Sequence, residues 1–153
     1  MPTRHTMQEI LACLKDKTTG VLATSDENSK NTRLRIMYYG VDDKFAVYLM
    51  SVKDAPKIAN IVNSPQASFL VYGVEEPYEN TWEIEINGYA ELISGDAAVG
   101  ALEKLKGRNP FADVALESGI TNRFELIRLS PKNLRFSNYG EALTGIAPTV
   151  LNF

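Results

Sequence analysis

Residues 82–92 read Trp82-Glu83-Ile84-Glu85-Ile86-Asn87-Gly88-Tyr89-Ala90-Glu91-Leu92. Apolar Trp82, Ile84 and Ile86 alternate with polar Glu83, Glu85 and Asn87, and a two-residue period marks a strand with one face buried and the other in water. This is the clearest alternation in the chain. Upstream, Phe45, Val47 and Leu49 alternate with Ala46, Tyr48 and Met50, which predicts a second strand of the same kind.

Working outward, Val21–Thr24 has strand chemistry, Ser25–Ser29 is a polar turn, and Thr32–Tyr39 is the return strand of a hairpin. Ser68–Tyr72 reads as a short strand, followed by an acid- and proline-rich loop over Gly73–Asn80. Two strands are expected near the end, Arg123–Leu129 and Leu134–Phe136. Helices are predicted over Thr6–Lys17, with Met7, Ile10, Leu11 and Leu14 on one stripe, and after Asp54-Ala55-Pro56, with Asp54 as a carboxylate cap. Asp96 is expected to cap a third helix and Phe111–Glu117 to form a fourth; Glu141–Phe153 has no clean period. The order predicts an antiparallel sheet curled into a barrel, mainly β, with peripheral helices closing it.

At 153 residues the chain has the size of one domain, and its 44% hydrophobic and 23% charged content is that of a globular protein. The formal charge of -3 argues against a protein that coats nucleic acid. Cys13 is the only cysteine, so no intrachain disulfide can form, which fits a reducing cytoplasm. The N-terminal run containing Pro2, Arg4 and His5 has no apolar core of signal or membrane length. His5, the sole histidine, is expected in a mobile N-terminus and excludes a multi-histidine metal site.

Chemistry is expected where a strand runs into a helix, at Ser51-Val52-Lys53-Asp54-Ala55-Pro56-Lys57. A hydroxyl, an ammonium and the free amides of a helix start make a phosphate cradle. Arg33 and Arg35 lie two apart on a strand, hence on one face, and a guanidinium pairs bidentately with phosphate oxygens. The bland alternatives are a helix cap, a solvated lysine and edge-strand charges.

Arg33-Leu34-Arg35, the strand-end Ser51-x-Lys53, a helix closing in Asn63-Ser64-Pro65, and the Gly88-x-Ala90 of the alternating strand together resemble the pyridoxamine-phosphate-oxidase-like proteins over roughly Met7–Asn138. The closer likeness is to the short general-stress-protein type. The resemblance implies a single FMN-binding split-barrel domain over 1–153, a homodimer, and FMN at the subunit interface. By it, Arg33, Ser51 and Lys53, with Arg35 added, match the phosphate ligands. Thr32, Leu34, Ile36, Tyr48 and Leu49 would wall the ring and ribityl chain. Glu83 replaces the family's flavin-contacting glutamine and Val52 an arginine. The Arg-x-His substrate signature of the true oxidases is missing, so vitamin B6 oxidation is not implied.

The function implied is an FMN-dependent oxidoreductase of unassigned substrate, with a small-molecule or nicotinamide electron donor and no nominated catalytic side chain. The rivals are a deazaflavin-dependent reductase and a flavin-binding stress or sensor protein without turnover. Glu83 and Glu85 read as a solvated face, Tyr89 as core, and Cys13 as a packed inert thiol.

Overall fold

A computed structural model describes residues 5–153; Pro2 and Arg4 lie outside the described residues. The elements in chain order are α1 (Met7–Asp16), β1 (Thr19–Asp26), β2 (Asn31–Tyr38), β3 (Gly40–Val41), β4 (Val47–Val52), α2 (Pro56–Asn63), β5 (Gln66–Gly73) and β6 (Trp82–Ile93). They continue with α3 (Gly95–Leu105), α4 (Pro110–Ser118), β7 (Phe124–Asn138), α5 (Tyr139–Leu143) and β8 (Thr149–Asn152). The strands form one antiparallel sheet in the order β2-β1-β5-β6-β7-β4-β3, with β8 also on β7.

The sheet curls until β2, at one edge, touches β4 near the other, which gives an open, split barrel. Register explains its interior. Leu22, Phe69, Ile86 and Leu134 are partners across four strands and are fully buried. One residue on, the row Val21, Leu70, Glu85, Arg135 faces outward, as the period of two requires. A second apolar cluster, with Met50, Ile93, Leu105 and Leu126, lies under α3 on the other side of β4.

Several expectations are corrected. The two predicted late strands are one 15-residue strand, β7, paired along β6. Residues 130–133, between the two expected strands, continue the pairing: a β-bulge opposite Asn87/Gly88 absorbs Lys132, and a bulge is where a sheet tolerates proline. The unpatterned tail forms α5 and β8, and Phe153 packs on Phe45 with centroids 5.6 Å apart. The cap of α2 is Ala55, not Asp54, because Pro56 occupies the first turn. Ser94, not Asp96, precedes α3. Tyr89 is 46% exposed on the outward face rather than core.

His5 is held, not loose: Nε2 lies 2.6 Å from a Glu141 carboxylate oxygen, Nδ1 3.2 Å from Glu9, and the ring packs on Phe136. Cys13 packs beside the main core, and burial pushes its thiol pKa up, with Asp16 and Glu9 adding to the rise.

Arg108, between α3 and α4, ties the helices to the barrel. It donates to the carbonyls of Tyr39 at 3.1 Å, Lys15 at 2.9 Å and Lys17, and lies over the Tyr39 ring. The Lys15 carbonyl is among the orphan acceptors of the end of α1. Arg108→Ala is expected to lower the unfolding free energy by about 2 kcal/mol, read as a shift in urea midpoint. Arg108→Lys should recover little of it, because an ammonium cannot span three fixed carbonyls.

Candidate functional site

The site sits at the split of the barrel, where two strand edges meet. No strand pairs with β2 on the side away from β1, nor with β4 beyond Tyr48 on the side of β3, among the described residues. Their backbone groups therefore remain available to a guest. Between them lies a hollow of about 260 Å³, whose walls include Ile36 and Tyr38 of β2, Met50 and Val52 of β4, and Phe111 of α4. Ser51 and Lys57 give it one polar end.

Parity along β2 turns Arg33, Arg35 and Met37 to the barrel side, since Arg35 is the partner of buried Leu22. At the sheet edge no strand covers them, and Arg35 swings toward α2. Its Nη1 donates to Thr24 Oγ1 at 2.8 Å, and Thr24 in turn donates to Asn60 Oδ1 on α2 at 3.3 Å. Lys57, in the first turn of α2, donates from Nζ to Ser51 Oγ at 3.1 Å, and Ser51 donates to the Val52 carbonyl.

Arg35 and Lys57 have no counter-ion among the described residues, and no carboxylate there lies within ion-pair distance of Arg33 either. Burial pulls the Arg35 pKa down and the nearby Arg33 charge pulls it further. Burial likewise lowers that of Lys57, with Arg35 adding to the effect. Half-buried like charges held close without a counter-ion are unfavourable unless an anion joins them.

A stability prediction follows from Lys57. Its folded pKa lies below the ordinary 10.5, so between the two values the unfolded chain binds more protons and stability rises with pH. Lys57→Met is expected to stabilise the unliganded protein at pH 7 by a few tenths of a kcal/mol, the effect being small because solvent screens the charge. It should also flatten the alkaline rise, which is read by comparing denaturation midpoints of the two proteins from pH 7 to about 10.5.

The expected residues divide. Ser51 and Ile36 line the hollow, and Arg35, with Arg33 near it, lies close enough to Lys57 to act on its charge. Lys53 does not join them: the strand ends at Val52, the chain turns, and Lys53 lines a separate hollow beside Ser94 and Phe124. Thr32 and Leu34 are exposed, with Leu34 on the outward face. Leu49 is fully buried in the core. Tyr48 points to the other side of β4, where its hydroxyl donates to Asp42 at 2.9 Å; burial, then that bond, raises its pKa. Glu83 is outward on β6, opposite Tyr72 and Ser137. Trp82 is core, stacked on Phe136.

Lys57 and Phe111, with the walls Tyr38, Met50 and Val52, are site residues that the sequence reading did not nominate. Lys57 could have been found, since it lies four residues before buried Ile61, on the inward side of α2. Phe111 carried no signal beyond its helix.

No group of three or more metal-ligating side chains is found, and no helix is long and apolar enough to cross a membrane, among the described residues. No curated protein matches the chain. Solved structures do share its fold. A haem-binding protein from Mycobacterium smegmatis is 20% identical with a TM-score of 0.73, over 99% of this chain and 60% of that one. General stress protein 26 from Bacillus anthracis is 19% identical, with a TM-score of 0.69 over 96% and 98% of the two chains. An FAD-binding protein from Mesorhizobium loti is 14% identical, with a TM-score of 0.69 over 86% and 94%. At these identities the likeness is one of fold. The family model for pyridoxamine 5'-phosphate oxidase matches residues 6–138, nearly the whole split barrel, and the chain belongs to that family.

Proposed function

We propose that the protein is an FMN-binding oxidoreductase that holds the FMN phosphate between Arg35, Lys57 and Ser51, with Arg33 beside them, and the flavin ring in the hollow between β2 and β4. The observation that carries this reading is a pair of half-buried cations, Lys57 at the polar end of a largely apolar hollow and Arg35 near it, with no carboxylate at ion-pair distance among the described residues. A phosphate monoester supplies the missing charge. The free edges of β2 and β4 offer donors and acceptors to the ring's polar rim, and the apolar walls suit its faces.

When bound, FMN supplies the hydride or single-electron transfer itself. The chain's residues bind and orient it and limit water at the ring. Outward Leu34, 69% exposed, and Ile36, 76% exposed, with Val21 and Leu70 level with Ile36 across the sheet, form an apolar patch, and this supports a homodimer that covers the site from its open side. We place the protein in the cytoplasm, as one domain.

A stopped-flow experiment tests the reading. Protein loaded with FMN should show the flavin absorbance bleach within seconds of mixing with NADH or NADPH. Retained flavin that neither donor bleaches would favour a carrier or sensor over an oxidoreductase.

A further inference from the structure

We propose that Phe111 is a ring-stacking residue: α4 holds it over the hollow so that it covers one face of the bound aromatic ring, independently of the phosphate site. This inference rests on the flavin reading and assigns to α4 the recognition of the ring.

The mounting of Phe111 is stiff. Asn109, 3% exposed, caps α4 by accepting from the Phe111 and Ala112 amides at 2.9 and 3.3 Å. Pro110 fixes the first turn. Ala112 and Ala115 are fully buried, and Ala112 packs in one cluster with Met50 and Leu126 of the sheet. The side chain of Phe111 therefore cannot collapse into the core, and it stays 63% exposed at the rim of the hollow. Its one aromatic neighbour among the described residues is Tyr38 of β2, met edge to face at 6.3 Å and 60°, which leaves ring surface in water. An exposed phenyl is unremarkable alone. One fixed at an apolar hollow that Met50, Phe124 and Lys57 also line has the geometry for an aromatic guest with an anionic tail.

The experiment titrates FMN and riboflavin, followed by quenching of their fluorescence, into the native protein, Phe111→Ala and Phe111→Trp. Phe111→Ala is expected to weaken both flavins by the same factor, about tenfold, and Phe111→Trp to keep or tighten both. The thermal midpoint should not move, since the side chain is exposed. If the native protein binds FMN and Phe111→Ala leaves both affinities within about twofold, or weakens FMN alone, the stacking role is wrong and the flavin reading survives. If the native protein binds neither flavin, the flavin reading falls and this inference with it.

Discussion

Replacing Arg35 by Gln and Lys57 by Met together is expected to weaken FMN binding about a thousandfold and riboflavin binding by no more than about threefold. The size comes from two charge-assisted bonds to phosphate at about 2 kcal/mol each, in a site where neither cation has another counter-ion among the described residues. The selectivity arises because riboflavin keeps the ring and ribityl chain and lacks only the charged end. The unliganded double variant should be at least as stable as the native protein, because the substitutions remove half-buried repulsion between Arg35 and Lys57. Lys53→Met serves as the internal comparison. Its ammonium lines a different hollow, so FMN affinity should stay within about threefold of native. A large loss there with none at Lys57 would return the phosphate to the position expected from the motif.

The second large effect is on the sheet. A side chain at Gly88 would place Cβ 2.0 Å from the Ser130 carbonyl oxygen and 3.0 Å from Pro131 Cα. Both belong to the backbone of β7, so no rotamer change relieves the clash, and β6 and β7 would have to part at the bulge. Gly88→Ala is expected to destabilise the protein by about 3 kcal/mol or more, seen as a lower urea midpoint and as faster amide exchange along 84–92 and 127–134. Gly100→Ala is the control: nothing lies within 4 Å of its Cβ position in α3, and the change should stabilise by roughly 0.5–1 kcal/mol. Equal tolerance at both glycines would contradict the pairing of β6 with β7.

Much of this was legible in the order of the residues. The alternation over 82–92 located β6, and the two-residue spacing of Arg33 and Arg35 put both on the barrel side of β2. What failed did so for identifiable reasons. Parity holds only while a chain stays extended, so Ser51 and Lys53 part company once β4 ends at Val52. The same parity separates Tyr48 from Leu49: Leu49 enters the barrel core, while the Tyr48 hydroxyl is drawn away to Asp42. The two expected late strands are one because the bulge that carries the chain past Pro131 is formed with a partner strand more than forty residues away in sequence. Phe111 came to the hollow through the docking of α4, and docking of one element on another leaves no local pattern.

The most direct test is calorimetric titration of the native protein with FMN and with riboflavin in one buffer. Selection by the phosphate predicts FMN binding tighter by about a hundredfold or more. Equal affinity for the two would contradict it, whatever the colour of the purified protein.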